Sequence, residues 1–584
     1  MKVAVVVQRY GADINGGAEQ HARYVAEHLA KHVQVEVLTT CAHRDYITWK
    51  NELPEGKEMV NGIAVHRFAV AVQRDPVEFA KWSNKVFTDR HSLRDELAWL
   101  EAEGPTSPAL VNHITAHAAD YDFFIFFSFR YHHSYHGCQA VAAKAILVPT
   151  AERDGALGLG LYPPVFRGIR ALMYNSYEER ALIHGVSNNQ SVPGVVVGIG
   201  SEIPERTNAG RFRQKFEMRD RFAIYVGRID ENKGCAELFE FFEHYSAALV
   251  DGMHLVLVGS AHLPIPTHPR IHHMGFLEDQ DKYDAMAAAE VLIMPSYLES
   301  LSMVALEAWA LGKPVLANAK CDVLQGQCLR SNAGLFYASF HEFAETLGAI
   351  DCNPGLQAAL GRNGRAFFEK HYSWPVIEKK YVDMLQQLSK ETPSLKMEPM
   401  PGWFGRRRRS QPAADSVVKQ LPIGPYREPK AESTRPKPDA TRPKAEGTRP
   451  FDSSSGRGAA AGLAQGKQPE GFTQTADGKW QRTETPRPSP SRPEHRRENP
   501  ARQPAGSQSS GPKPQAPGGL KPSASAKAPT SAKATVDRPA DRQASGPRPD
   551  GRGGDQRGRD NRRGGRPQRG GRRPGGGGSG GGAR

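Results

Sequence analysis

The chain opens on an apolar run, Val3 to Val7, which stops at Gln8 and Arg9 and gives way to a loop carrying Gly11, Gly16 and Gly17. From Ala18 to about His32 the apolar residues Ala22, Val25, Ala26 and Leu29 recur at helical spacing, and Glu19, His21, Arg23 and Glu27 fill the wet side. Val33 to Thr39 then alternates as a second strand. This is a βαβ opening. Short apolar runs at 63–68, 123–127, 145–148 and 171–174 predict further strands, separated by stretches long enough for helices. A second series begins near Phe222, with strands predicted at 223–226, 255–258, 272–274, 291–294 and 314–317 and helices at 235–245, 281–289 and 303–311. Strands alternating with helices imply a parallel sheet in each half, and the chain is an α/β protein on this reading.

The pattern also sets the domain boundaries. Residues 1–195 form the first unit and 196–372 the second, with the polar stretch Gly200 to Arg213 as the hinge. Trp374 to Leu388 has helical periodicity and makes a final element over 373–390. From 395 to 584 Pro, Gly, Ser, Arg and Lys dominate and no period of 2 or 3.6 persists, so little apolar surface is available to offset ordering entropy. A disordered basic tail is expected there.

Charge follows the same boundary. The 584 residues carry a net charge of +14, but the tail holds about 39 basic and 17 acidic residues, which leaves the first ~390 residues mildly acidic at about −8. Thr-Arg-Pro recurs at Thr434, Thr441 and Thr448, and arginines with glycine crowd the end at Arg552, Arg557, Arg563, Arg566, Arg569 and Arg572. Guanidinium planes on such a chain can pair with phosphates, so RNA, another polyanion or an anionic membrane is a candidate tail partner, and a solubilising or adaptor segment is the alternative. The six cysteines show no two-residue spacing of the kind that clips zinc, and no window of ~20 residues is apolar enough to span a bilayer. The expectation is a cytoplasmic protein, soluble or peripheral at the membrane.

The most specific segment is PSYLESLSMVALEAWALGKPV, with Glu299 and Glu307 eight residues apart. A fixed carboxylate accepts two hydrogen bonds from vicinal hydroxyls, so two carboxylates can grip two sugar rings. Pro295-Ser296 breaks the strand 291–294 and Gly312 ends the following helix, which places Glu299 in the strand-to-helix loop and Glu307 inside the helix. Loops at the carboxyl ends of parallel strands are where open α/β sheets bind ligands. A second segment, YVGRIDENKG, sets Gly227 after a strand, then Arg228 and Lys233. Departure of a diphosphate builds negative charge, and such cations stabilise it.

These two segments resemble the retaining GT-B glycosyltransferases of family 4 (glycosyl transferases group 1). The resemblance implies two Rossmann-like domains facing a cleft, with the last helix crossing back onto the first domain. It implies that Glu307 holds the nucleotide ribose, Glu299 the transferred sugar, and Arg228 and Lys233 the diphosphate. Gly16 and Gly17 would face the donor phosphate across the cleft, while Ser302 and Met303 would bring helix N–H groups to the donor. Ser302 stands where family members often have glycine, and serine keeps that N–H. The donor expected from the resemblance is a nucleotide-diphosphate sugar, UDP- or GDP-linked, with no cofactor and no metal. The expected acceptor is a glycan or a lipid-linked molecule, in cell-surface polysaccharide or glycolipid synthesis.

One departure touches catalysis. Many family members carry Thr-x-His after the fifth strand, and this chain has Thr150-Ala151-Glu152. Either the Glu152 carboxylate contacts donor or acceptor, or another residue takes the role, His133 being the candidate from FRYHHSYHG; a lobe pair that binds sugar nucleotides without transferring them is the alternative. His132, His133 and His136 match no recognised metal-ligand spacing. Asp281 is expected to cap the helix that follows it. Phe79, Trp82, Val86, Phe87, Leu93, Leu97 and Leu100 form a bulky series that suits a buried helix face, an acceptor groove or a membrane surface.

Overall fold

The computed structural model describes residues 1–14, 16–248, 252–392 and 410–426, together with the backbone of 472–474 and 480–482. In the first lobe the strands are β1 (Lys2–Val6), β2 (Gln34–Thr40), β3 (Gly56–Val60), β4 (Ile63–Phe68), β5 (His91–Ser92), β6 (Phe123–Phe127), β7 (Ala145–Val148), β8 (Ala171–Tyr174) and β9 (Gly194–Val196). All but β5 join one sheet in the order β3-β4-β2-β1-β6-β7-β8-β9. Only β3 runs antiparallel, paired with β4 through a hairpin at Asn61-Gly62, where both residues take positive φ as a tight turn requires. The β3 side chains are mostly exposed, which is why no apolar pattern announces that strand.

The central strands β1, β6, β7 and β8 are buried on both faces. All five residues of β6, Phe123 to Phe127, are buried, with Phe124 and Phe126 packing into one cluster and Phe123, Ile125 and Phe127 into another. Helices on both sides of a parallel sheet produce that demand, and it explains the continuous apolar runs.

The second lobe repeats the plan with β10 (Phe222–Val226), β11 (His254–Val258), β12 (Ile271–His273), β13 (Val291–Met294), β14 (Val315–Asn318) and β15 (Gly334–Tyr337). Their order is β12-β11-β10-β13-β14-β15, and every pair is parallel. The chain reverses direction across the sheet between β1 and β6 in the first lobe and between β10 and β13 in the second. At such a switch point adjacent crossovers run to opposite faces and leave a crevice at the carboxyl ends of the strands. The fold is thus two Rossmann-like lobes, each with its crevice where the glycine-bearing or cation-bearing loop emerges.

The helix Trp374–Lys390 lies against the first lobe. His28 stacks on Trp374 with ring centroids 3.5 Å apart, and Glu378 accepts from His32 at 2.8 Å. Lys380 donates to the carbonyl of Val197 at 3.0 Å. The segment 200–213 is only partly a linker, since the helix Ala209–Lys215 packs on the helix Asp279–Ala288. Asp281 is not the cap expected of it. That helix begins at Asp279, so Asp281 sits in its first turn and pairs with Lys215 at 2.6 Å.

Two stretches of the tail differ from the structureless segment its composition suggests. Residues 410–426 form a strap: β16 (Ser410–Gln411) pairs antiparallel with β5, and a short helix, Ala414–Val418, packs on residues 155–158 and on the helix Pro76–Thr88. Ala414, Val418 and Leu421 are buried, and their spacing of four and three is helical. The backbone of Phe472–Gln474 pairs antiparallel with Trp480–Arg482. The rest of the tail, with its Thr-Arg-Pro and Arg-Gly runs, lies outside the described residues. Among the described residues no helix is long and apolar enough to cross a membrane. The bulky series at 79–100 is core rather than surface: Val86, Leu93 and Leu100 are buried, and Phe79, Trp82, Phe87 and Leu97 pack against the same cluster.

Candidate functional site

The loop after β10 is built on glycine. At Gly234 φ is +71°, and a Cβ there would lie 2.1 Å from the carbonyl oxygen of Pro295, so only glycine lets this loop reach the end of β13. That approach brings Lys233 to Glu299, whose Oε1 accepts from Nζ at 2.7 Å. Asp230 fixes the loop by accepting from the Lys233 backbone N–H at 2.8 Å. Asp230 also pairs with the Arg228 guanidinium, so Arg228 is half-exposed and held within its own loop.

Glu152 closes the group from the other lobe. Its carboxyl is pushed up to about 7, first by burial and then by the neighbouring charge of Glu299. Burial works against the Lys233 ammonium, yet the carboxylates of Glu299 and Glu152 hold it above its ordinary range. One lysine from the second lobe is therefore bonded to a carboxylate of its own lobe and lies in the field of one from the other. Behind Glu152 lies a second buried acid, Glu179, which accepts from the backbone N–H groups of Ala151 and Asn175. Burial raises its carboxyl to about 8 despite those bonds. Glu179 ties the loop carrying Glu152 to the end of β8, where Asn175 Nδ2 reaches Ser300 Oγ of the second lobe at 3.4 Å.

Glu307 lies in the helix Met303–Ala310 and is 5% exposed. Its Oε1 accepts from the Tyr283 hydroxyl at 2.8 Å and from Lys282 Nζ at 3.4 Å. Its Oε2 is buried with no partner. A buried carboxylate oxygen left unpaired is costly, and it can accept from two more donors. Ser302 caps this helix by accepting from the Ala305 N–H at 3.2 Å, and Met303 opens it, partly buried.

In the first lobe Gly16 and Gly17 serve different ends. A Cβ on Gly16 would strike the Glu19 carboxylate at 2.3 Å, because Glu19 folds back to bind Arg9 in a buried pair at 2.6 Å. A Cβ on Gly17 would meet nothing within 4 Å, so that backbone fronts open space. His133 is fully buried with both ring nitrogens unpartnered, and burial lowers it to about 3. Among the described residues no hydrogen bond or ion pair ties it to Glu152, Lys233 or Glu299. Of the candidate set, the fold bonds Lys233 to Glu299, sets Glu152 and Arg228 within electrostatic reach of that lysine, and leaves Glu307 and His133 in surroundings of their own.

Where the lobes meet, a narrow pocket is lined by Arg153, Glu178 and Leu182 on one side and by Tyr297 to Glu299 and Lys320 to Val323 on the other. Arg153 crosses it, donating to Asp322 at 2.7 Å, and Arg330 grips Glu178 with bonds of 2.6 and 2.8 Å. Sequence reading missed Arg9, Arg153, Lys282, Tyr283 and Glu179, and it put Glu19 and His21 on the wet side of their helix, where both are in fact buried. Only Glu179 left a local trace, in the spacing Ser176-x-x-Glu179 that marks a capped helix start.

Paired lobes of this topology with a ligand crevice at each switch point make up the GT-B fold. Residues 207–367 match the family model described as glycosyl transferases group 1. The chain is 26% identical over 197 residues to the GDP-mannose-dependent monoacylated alpha-(1-6)-phosphatidylinositol monomannoside mannosyltransferase of Corynebacterium glutamicum, covering 31% of this chain and 51% of that one. It is 27% identical over 228 residues to a D-inositol 3-phosphate glycosyltransferase of Xylanimonas cellulosilytica, covering 36% and 53%. The chain thus spans about half the length of these two relatives. Among solved structures, sucrose-phosphate synthase of Thermosynechococcus elongatus is similar, with a TM-score of 0.49 and 18% identity over 67% of this chain and 100% of that one.

Proposed function

We propose that the protein is a retaining glycosyltransferase that moves a sugar from a nucleotide diphosphate to a glycan or lipid-linked acceptor. The observation that carries this reading is the Lys233–Glu299 pair at the second lobe's switch point with Glu152 set against it from the first. A diphosphate entering the crevice competes with Glu299 for Lys233. Once displaced, the Glu299 carboxylate can accept from the hydroxyls of the attached sugar. Lys233, and Arg228 on release from Asp230, then neutralise the charge that grows on the departing diphosphate, assisted by the N–H groups at the Ser302 helix start.

In this reading the acceptor attacks from the face the diphosphate leaves, which preserves anomeric configuration, and the protein's own cations do the work a metal does elsewhere. Glu152 stands where many members of the family it resembles carry histidine. With its carboxyl near 7 it is poised to accept a hydrogen bond from donor or acceptor when ionised and to donate one when protonated. The name of the Corynebacterium relative makes GDP-mannose and lipid-linked acceptors the first to test.

The test is a screen of UDP- and GDP-sugars against the full chain, read as release of the nucleoside diphosphate, with product configuration determined by NMR. Lys233→Ala should lower transfer at least about 100-fold, as expected when a cation on a developing charge is removed. Tight binding of a sugar nucleotide with no transfer to any acceptor would instead favour a lobe pair that has lost catalysis. An inverted product would overturn the retaining assignment.

A further inference from the structure

We propose that Glu101, His132 and His136 form a binding site for a transition-metal dication of the zinc type in the first lobe, away from the diphosphate crevice. His132 and His136 stand four residues apart at the start of the helix His132–Ala140, which places both imidazoles on one face. Glu101 comes from the last turn of the helix Leu93–Glu103, and the turn at Gly104 brings that end back to His132, whose N–H bonds the Gly104 carbonyl at 3.3 Å. Sequence spacing alone shows only the histidines. The fold adds the carboxylate.

The distances fit a metal better than an ion pair. Nε2 of each histidine lies 3.8 Å from the same oxygen, Glu101 Oε1, and the three ligand atoms are all within 4.8 Å of one another. Separations of 3.8 Å are too long for hydrogen bonds. Ligands around tetrahedral zinc, with bonds of ~2.0–2.1 Å, sit about 3.3 Å apart, so each histidine must close on the carboxylate by about half an ångström, and the two imidazoles on each other by up to about 1.5 Å, to complete the set. The second oxygen of Glu101 is turned away to the Thr106 hydroxyl at 3.3 Å, an outer contact that aims the first oxygen at the imidazoles.

His132 is 5% exposed, and its Nδ1 is buried with no hydrogen-bond partner among the described residues. That cost stands whether or not a metal is bound; what points to an ion is the convergence of both Nε2 atoms on Glu101 Oε1. Two nitrogens and one oxygen select zinc, cobalt, nickel or copper over magnesium or calcium, which demand oxygen ligands. Glu101 and His136 are partly exposed, which gives the ion a way in and leaves a fourth position for water. Two residues past Glu101, Glu103 holds both Arg74 at 2.9 Å and Arg130 at 2.8 Å. Metal loading would clip together the two helix ends that carry this network, so its effect is on stability.

The full chain, stripped with a chelator and dialysed, is titrated with zinc chloride and, in parallel, cobalt chloride. Thermal unfolding, bound-metal stoichiometry and the cobalt visible spectrum are read for the wild type, His136→Ala and Glu101→Gln. The wild type is expected to bind one more dication than either variant and to unfold at a higher temperature with zinc but not with magnesium. Loss of one of three ligands should weaken binding at least about tenfold. Both variants alter partly exposed side chains, so each should fold, and circular dichroism without metal checks this. The proposal is overturned if zinc fails to raise the wild-type unfolding temperature, or if both variants bind zinc with wild-type stoichiometry and affinity.

Discussion

Glu307→Gln offers the most direct trial of the donor-site assignment, because the surroundings of this residue define what the change removes. Oε1 is committed to Tyr283 and Lys282, while Oε2 is buried and unpartnered. An amide in the same place keeps one acceptor, which Tyr283 and Lys282 will hold, and turns an NH2 group toward the side where a ribose would present its hydroxyls. A hydrogen bond to a charged acceptor contributes about 1.5–3 kcal/mol, so losing one should raise the nucleotide Kd by about tenfold to about 150-fold. Glu307→Ala should lose as much and also destabilise the fold, since the buried Tyr283 hydroxyl then has no acceptor. Calorimetry with UDP and GDP gives the affinities, and a 2′-deoxy nucleotide supplies the control. If the carboxylate grips the ribose, the wild type should discriminate against the deoxy analogue while Glu307→Gln does not, a coupling above about 1 kcal/mol in the double cycle. Equal losses on the deoxy analogue for both proteins would refute the contact, however much weaker the variant binds overall.

Three further outcomes are expected. Glu179 keeps its proton in the folded chain up to about pH 8 but ionises near 4.5 when unfolded, so stability should fall as pH rises through that window, by at most about 1.4 kcal/mol per unit; denaturant midpoints at pH 5.5 and 8 should show a smaller fall for Glu179→Gln, and an unchanged slope would contradict the buried-proton assignment. Donor binding should weaken between pH 6 and 8 as Glu152 ionises beside the incoming diphosphate, with proton uptake visible as a buffer-dependent binding enthalpy, and Glu152→Gln should abolish that uptake. Truncation after residue 426 should leave the melting temperature close to that of the full chain, whereas truncation after 392 should lower it by several degrees, because Val418 and Leu421 each bury apolar surface that contributes about 1.5–3 kcal/mol before ordering costs; equal melting temperatures for the two would show that the strap adds nothing.

The fold was readable because burial on both faces of a parallel sheet leaves a strong mark. Runs such as FFIFF and VLIM have one use in a chain of this kind, and the loops that follow them inherit their place at the strand ends. The same logic put Lys233 and Glu299 within reach of each other from motifs 66 residues apart. Where one face is wet the mark fades: β3 has almost no apolar pattern, and only Asn61-Gly62 betrays its hairpin. Side-chain partners are less legible still. Arg228 looks like an open cation in the sequence, yet Asp230, two residues on, already holds it. His133 reads as the histidine candidate for the cleft, but the helix turns it fully inward and groups its neighbours with a carboxylate 31 positions before His132. Composition misled most in the tail, since Ala414, Val418 and Leu421 are too few to lift a window average although their spacing suffices for one helical turn of packing.

Arg153 shows why the strap matters to the site. Its guanidinium donates to the carbonyls of Val418, Leu421 and Pro422 and at the same time to Asp322 of the second lobe, and Asp322 in turn accepts from the Gly424 N–H at 2.8 Å. Tyr426 continues the contact, its N–H bonding Glu178 at 3.0 Å and its ring stacked on Tyr177. The strap therefore touches both lobes at the edge of the pocket that Glu299 lines, through Arg153, the residue after Glu152. Any hinge motion that widens the crevice must stretch bonds to Asp322, and a guanidinium fork shared among several acceptors resists being pulled from all of them together. A tail that composition marks as a solvated appendage thus includes a segment, 410–426, bonded to residues of both lobes.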